Sequence, residues 1–279
     1  MRFWSLLFLT LLLAGCEEKR DTGWLGYGEG DSAFVAAPQP GWIEKLAVER
    51  GQTVKPGDLL FVLDTTAQEA SQSQAEATLT QTKASLAQEQ SNLTFMRTEL
   101  ARQNGLARAN AGTPAQRDQA LTNYQQSLAR VAQLKAQIAQ MQAALQGAAY
   151  NLSQRRIVAE TEGPVQDIYF RPGEYVPAST PVVSLLPPAN IYVRFFVPQS
   201  QLAGVKLGDH VEVNCDGCKP MQAVITFIAA QVEFTPPVIF SVENREKLVF
   251  KLEARAPGGL GLHPGQPVTV KKLTRVAPP

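Results

Sequence analysis

Two of the three cysteines stand close enough together to act as a pair. Cys215 and Cys218 flank Asp216-Gly217, a dipeptide that favours a tight turn, and an alternating run from Val211 leads into them. Such a pair could be a redox site, half of a metal site, or a disulfide that closes a hairpin. Because neither a second ligand pair nor a helix start accompanies it, the spacing favours a structural clip or two buried thiols.

The rest of the composition gives little support to catalysis. The sequence has only two histidines, His210 and His263, and it has no recognisable Ser-His-Asp set, carboxylate pair, glycine-rich phosphate loop or metal-ligand cluster. The net charge is +1 and no basic run occurs, which argues against nucleic-acid binding. We therefore predict no catalytic residue and no metal site.

Cys16 ends a segment that has the composition of an export signal. Arg2 precedes an apolar run over Phe3–Leu13, and the string Leu13-Ala14-Gly15-Cys16 is similar to the bacterial lipobox, whose cysteine is acylated. The run is too short to span a bilayer comfortably. An uncleaved anchor and an ordinary signal peptide remain alternatives. We interpret residues 1–15 as a lipoprotein signal peptide and expect a periplasmic chain, lipid-anchored at Cys16 to the inner membrane.

Two segments of the chain repeat one another without a gap. Glycines and apolar residues recur at one constant offset, beginning with Gly41 and Gly163. Further matched pairs are Ile43 with Val165, Leu46 with Ile168, Gly51 with Gly173 and Leu63 with Leu185. The alternation between glycine-rich turns predicts short strands. One copy is too small to bury a core, so residues 34–66 and 155–188 are expected to form one sandwich.

The stretch between the copies, residues 67–154, carries apolar residues at heptad spacing in two runs. They include Leu79, Leu86, Leu93 and Leu100, then Tyr124, Val131, Ile138, Leu145 and Leu152. Asn110-Ala111-Gly112-Thr113-Pro114 interrupts the pattern, with Thr113 placed to cap a second helix and Pro114 in its first turn. The pattern predicts an antiparallel coiled-coil hairpin with arms of about 60 Å. Thr82 and Glu89 occupy heptad positions where leucine would pack better.

This order of lipobox, repeat, hairpin, repeat and β-rich tail resembles the HlyD-type membrane fusion proteins, the periplasmic adaptors of tripartite export pumps. In that family the hairpin tip docks onto a TolC-type outer-membrane channel through an Arg, a Leu and a Ser at fixed spacing. Arg102, Leu106 and Thr113 stand at those spacings, with Thr in place of Ser, and Asp118 and Ala120 match residues that often follow. The resemblance implies that this set is the docking site. The structural alternative is a solvated arginine, a last core leucine and a helix cap.

Each repeat copy also resembles half of a lipoyl domain. Carriers of lipoate or biotin bear a modified lysine on the turn between the halves. Here the helical hairpin replaces that turn after Asp64-Thr65-Thr66, and Lys45 and Lys55 lie within the first half. We therefore predict no cofactor.

The chain after Pro188 alternates in the manner of short strands, separated by glycine-containing turns. We expect a small β-barrel over residues 189–275 and an N-terminal linker over residues 16–33. The predicted fold is mixed and elongated: a lipoyl-like β-sandwich split by a long antiparallel α-helical coiled-coil hairpin, followed by a small β-barrel.

The resemblance implies a function in transport without chemistry. The expected protein is a periplasmic adaptor, assembled as a homo-oligomeric ring, that links an inner-membrane transporter to a TolC-type channel for export of small molecules or drugs. Little chain follows the barrel region, which favours an ABC-type transporter over a proton-driven one. The alternatives are a lipoyl or biotinyl carrier component of an enzyme complex and a purely structural envelope spacer.

Overall fold

The computed structural model describes residues 23–234 and 248–273 of the chain. They divide into two compact units, one formed by Ala33–Leu185 and the other by the described residues on either side of it. The predicted signal peptide and the predicted lipid attachment site at Cys16 lie outside the described residues. Among the helices that are described, none is both long enough and apolar enough to span a bilayer.

The elements are numbered in chain order. The strands are β1 (Trp24–Gly30), β2 (Ala33–Ala36), β3 (Gly41–Leu46), β4 (Thr53–Val54), β5 (Leu59–Leu63), β6 (Arg156–Val158), β7 (Gly163–Ile168), β8 (Tyr175–Val176), β9 (Pro181–Leu185), β10 (Ile191–Pro198), β11 (His210–Asn214), β12 (Met221–Phe234), β13 (Leu248–Arg255) and β14 (Pro267–Lys272). The helices are α1 (Thr66–Arg108), α2 (Pro114–Ser153) and the single-turn α3 (Gln199–Leu202).

The two repeat copies interlock in a β-sandwich of two four-stranded sheets. The sheet orders are β2-β9-β7-β4 and β6-β5-β3-β8, so each copy places its short middle strand in the sheet of the other. The registers are symmetrical, since Gly41 pairs with Val176 and Val54 pairs with Gly163. Because each sheet needs strands from both copies, the copies form one folded unit, as the repeat predicted.

The core of this sandwich is built from matching positions of the two copies. Leu63 and Leu185 are fully buried, and so are their neighbours Leu60 and Val182. Burial of each such side chain stabilises the fold by about 1.5–3 kcal/mol. The shared core explains why the helical hairpin can be inserted between the copies without dividing them.

Helices α1 and α2 form the predicted hairpin. They contain 43 and 40 residues, which corresponds to a rod of about 60–65 Å. Six positions are buried between them, namely Leu79 and Thr82 of α1 and Ala120, Ser127, Val131 and Leu134 of α2. Since half of these side chains are small or polar, hydrophobic packing is only part of what holds the helices together.

Six strands of the second unit pair in a closed ring in the order β1-β10-β13-β12-β11-β14. Strand β1 closes the ring because it pairs with both β10 and β14. Residues 24–30, predicted to belong to a linker, are therefore the first strand of this ring. The alternation of apolar and polar residues that predicts a strand is absent here, because Gly26 and Gly28 occupy alternate positions. A Cβ at Gly26 would collide with the carbonyl oxygen of Arg194, and one at Gly28 would lie 2.7 Å from that of His263.

Candidate docking site at the hairpin tip

Helix α1 ends in a Schellman motif, which fixes the first half of the tip. The Ala111 amide donates to the Leu106 carbonyl oxygen at 2.9 Å, and the Asn110 amide donates to that of Ala107 at 3.2 Å. Asn110 has a φ of 57°, in the left-handed region that asparagine tolerates better than most residues. The chain therefore turns back within a few residues of the last helical turn.

Helix α2 begins with a capping box. The Thr113 hydroxyl accepts from the Gln116 amide at 3.3 Å, and Gln116 Oε1 accepts from the Thr113 amide at 3.1 Å. Pro114 occupies the first turn. Thr113 is thus the helix cap that the sequence predicted. Its oxygen is engaged with the helix, and its O–H remains as a donor for another molecule.

Leu106 presents an apolar surface beside this turn. Its side chain is 39% exposed, and a Cβ added at Gly112 would lie 3.1 Å from its Cβ. The glycine thus allows the returning chain to pass close to the leucine. Leu106 is therefore only partly covered by its own hairpin.

Arg102 lies one helical turn before Leu106, so the two share a face of α1. Its guanidinium pairs with Glu99, and its side chain is 65% exposed. Because this guanidinium lies largely in solvent, its pair with the partly buried Glu99 contributes only about 0–1 kcal/mol. The guanidinium can therefore exchange this partner for a carboxylate or carbonyl of another protein at little cost.

Asp118 and Ala120 have different environments. Asp118 is exposed, and its Oδ1 accepts from Arg117 Nη2 at 2.9 Å. Ala120 is buried against α1. Asp118 is therefore available at the surface near the start of α2, whereas the small side chain of Ala120 allows close approach of the two helices.

A polar layer crosses the hairpin farther from the tip. Ser127 donates its hydroxyl to Glu89 Oε1 at 2.5 Å, and Asn92 Nδ2 donates to the same oxygen at 3.1 Å. The hydrogen bonds from Ser127 and Asn92, with a smaller contribution from the charge of Arg130, lower the pKa of Glu89. These side chains line an open cleft of about 380 Å³. The heptad pattern marked Glu89 as unusual, but its partner on α2 could not be read from spacing.

The junction between β5 and α1 is the place where a carrier domain would bear its lysine. Asp64 Oδ1 accepts from the amide of Thr66 at 3.0 Å and from its hydroxyl at 2.7 Å. These two bonds lower the pKa of Asp64. Asp64 therefore fixes the start of the helix at this junction.

The cysteine pair lies in the barrel unit and not at the tip. A disulfide joins Cys215 and Cys218, whose Cα atoms are 5.4 Å apart, in the turn between β11 and β12. Gly217 has a φ of 77°, which suits this tight turn. Within the described ranges no group of three or more His, Cys, Asp or Glu side chains could hold a metal ion.

Comparison with known protein sequences gives several UPF0194 membrane proteins among the relatives. No family model matches the chain. A UPF0194 membrane protein from Enterobacter sp. (strain 638) is 26% identical, with 95% of this chain and 95% of that protein covered. Another, from Acidithiobacillus ferridurans, is 33% identical over 131 residues, which cover 46% of this chain and 39% of that protein.

Comparison with solved structures also gives matches over most of the chain. The crystal structure of MacA from Actinobacillus actinomycetemcomitans has a TM-score of 0.70 at 19% identity and covers 90% of this chain and 77% of that one. The structure of the periplasmic adaptor protein EmrA has a TM-score of 0.53 at 14% identity, with 91% and 100% covered. A membrane fusion protein from Streptococcus pneumoniae R6 has a TM-score of 0.56 at 17% identity, with 88% and 99% covered. As its repeat and hairpin predicted, the chain has the fold of the membrane fusion proteins, the periplasmic adaptors.

Proposed function

We propose that this chain is a periplasmic adaptor that links an inner-membrane transporter to a TolC-type outer-membrane channel during export of small molecules or drugs. The observation that carries the proposal is the placement of Arg102, Leu106 and Thr113 at the turn of a long helical hairpin. The fold shared with membrane fusion proteins and the near full-length similarity to a UPF0194 membrane protein support it.

The hairpin places its tip far from the sandwich. A rod of about 60–65 Å carries a small set of exposed groups far from the sandwich into which it is inserted. The capping box and the Schellman motif hold the turn in one conformation, so little ordering entropy is lost when it docks. An envelope spacer without a docking partner would need the rod but not this arrangement of its tip.

Each tip residue contributes a different interaction in this proposal. Arg102 makes charge-assisted hydrogen bonds to carbonyl or carboxylate groups of the channel. Leu106 inserts its half-exposed side chain into an apolar site, and Thr113 donates its hydroxyl while its oxygen caps α2. Asp118 adds an exposed carboxylate to the same end of the hairpin.

The proposal also covers the chemistry, the membrane anchor, the oligomeric state and the transporter partner of the chain. The chain acts without chemistry of its own and binds no lipoate or biotin, because Asp64, hydrogen-bonded to Thr66 at the start of α1, stands where a carrier would present its lysine. It is anchored by lipid at Cys16 and assembles as a homo-oligomeric ring. An ABC-type transporter supplies the energy.

Charge reversal at the tip tests the proposal. Arg102→Glu should abolish channel co-purification and sensitise cells to the exported compounds, since the variant presents a repelling charge to the channel. Arg97→Glu is the matched control, because it makes the same change at another exposed position of α1. Unchanged export and co-purification with Arg102→Glu, at normal protein level, would count against docking through this tip.

A further inference from the structure

We propose that one rim of the β-barrel binds directly to the surface of a lipid bilayer that contains anionic headgroups. The surface, called the lysine–leucine rim below, consists of Leu25, Lys206, Leu207, Lys271 and Lys272. The proposal rests on the proposed function in one respect, namely that the chain is anchored to a membrane at Cys16.

These residues lie at one end of the barrel. Strand β1 begins there, since Trp24 pairs with Val270 near the end of β14. Strand β11 also begins there, since Val211 pairs with Lys272. The turn before β11 joins the same rim because Lys272 Nζ contacts Asp209 Oδ2 at 2.7 Å and donates to the Gly204 carbonyl oxygen.

The apolar component of this rim is its two leucines. Leu25 is 72% exposed and Leu207 is 64% exposed, and no other large hydrophobic side chain in residues 23–232 and 248–273 is as exposed as either. Exposed leucines that lie singly near a rim, outside any groove, suit insertion among lipid headgroups and upper acyl chains.

Local contacts hold both leucines in place. Next to Leu25, Trp24 stacks on Phe195 with 5.6 Å between ring centroids and donates Nε1–H to Gln201 at 2.6 Å. Leu207 lies in a turn closed by a bond of 2.8 Å from the Lys206 amide to Asp209 Oδ2. The leucines are therefore presented by rigid backbone, which limits the entropy lost on binding.

The charged component is three exposed lysines. Lys272 pairs with Asp209, and Glu212 stands opposite Lys271 in the strand register, so three ammonium groups face two carboxylates. Long lysine side chains can extend toward phosphate groups while their aliphatic stems cover apolar surface. A small positive excess of this kind is attracted to an anionic leaflet.

The composition of the rim favours lipid over a protein partner. Lysine is depleted in protein–protein interfaces and leucine is under-represented among their energetic hot spots, where Trp, Tyr and Arg dominate. The short distance along the chain between Cys16 and the rim also favours a lipid partner. Gly23, beside Lys271, follows Cys16 by seven residues, which span at most about 25 Å when fully extended. An acyl group at Cys16 would therefore keep the rim close to the bilayer.

Vesicle flotation tests the inference. The mature full chain carrying Cys16→Ser, and so no acyl group, should float with vesicles of phosphatidylethanolamine and phosphatidylglycerol but much less with phosphatidylcholine vesicles. Lys206→Gln with Lys271→Gln should weaken the binding about 25-fold, since each lysine near an anionic surface accounts for about fivefold. Leu25→Ser with Leu207→Ser should weaken it about tenfold through loss of apolar contact.

Lys135→Gln with Leu128→Ser is the matched control, because both residues are exposed on α2. It should bind as the parent does, and unchanged thermal unfolding of every variant would show that the barrel is intact. Absence of parent binding to the anionic vesicles, or equal weakening by the control, would overturn the inference. Binding only to vesicles that contain the transporter would also overturn it, in favour of a protein partner. The assay involves neither export nor a channel, so its failure is distinct from failure of the adaptor proposal.

Discussion

Ser127 donates its hydroxyl to Glu89 across the helical hairpin, at a level where the heptad pattern would place two apolar side chains. The bond joins α1 to α2 directly, and Asn92 supports it from the same helix as Glu89. A polar pair at a core position of a coiled coil commonly fixes the register of its helices at some cost in stability. The hairpin tip is then positioned by this pair as well as by its leucines.

Replacing the pair with apolar residues should stabilise the hairpin. The double variant Glu89→Leu with Ser127→Ala removes both polar partners at once, which is commonly neutral or stabilising. Ser127→Ala alone leaves the Glu89 carboxylate without its cross-helix donor and should destabilise. Thermal unfolding followed by circular dichroism should place the Tm of the double variant at or above that of the parent and the single variant below it. A double variant that melts well below the parent would contradict this role.

The same pair predicts a dependence of stability on pH. The pKa of Glu89 is lowered in the folded chain by its hydrogen bonds to Ser127 and Asn92. Its contribution is therefore fully present above the unfolded pKa of about 4.3 and is lost as the pH falls through the lower folded value. Between pH 6 and 3, as measured by Tm, Glu89→Gln should show a smaller loss of stability than the parent. Glu76→Gln, at an exposed position of α1, should behave as the parent does. If all three proteins show the same dependence of Tm on pH, Glu89 does not contribute to the pH dependence of stability.

The interlocked sandwich predicts equal effects at matched positions. Leu63→Ala and Leu185→Ala each remove a fully buried side chain from one shared core, and each should lower the free energy of unfolding by about 2–5 kcal/mol. Urea unfolding should show one transition for the sandwich in both variants, because neither repeat copy has a core of its own. Separate transitions for the two copies would show that they are independent.

The disulfide should stabilise the barrel modestly. Cys215 and Cys218 close a loop of four residues, for which the chain-entropy relation gives about 2 kcal/mol. Cys215→Ser with Cys218→Ser, or reduction of the parent, should lower the urea midpoint of the barrel and leave the hairpin unchanged. Two titratable thiols in the oxidised, folded parent would show that the bond is absent.

The sequence predicted the elements with long periodic signals. Heptads over about forty residues placed both helices, and Thr113 with Pro114 marked the start of the second one. The gap-free repeat identified the sandwich because its glycines and buried residues occupy matching positions. Strand β1 was missed because Gly26 and Gly28 remove the apolar alternation on which strand prediction depends.

Contacts between residues far apart in the chain could not be predicted from the sequence. Arg194 on β10 pairs with Glu29 at 2.7 Å and with Glu253 at 3.0 Å, and neither pairing follows from spacing along the chain. The pair formed by Arg102 and Glu99 is compatible with their spacing along α1, whereas the family motif implied partners for Arg102 outside the chain. Local and periodic patterns identify elements, whereas the pairing of side chains depends on how those elements pack.

In the proposed function, the hairpin tip contacts an outer-membrane channel. A photoreactive maleimide attached to Ala111→Cys at the turn should cross-link to the channel in cells. The reagent labels the new cysteine selectively, because Cys215 and Cys218 are joined in a disulfide and the new thiol is the reactive one among the described residues. The same reagent at Ser91→Cys, exposed along α1, should give no channel adduct. Efficient labelling at Ala111→Cys without a channel adduct, in cells that still export, would contradict the account.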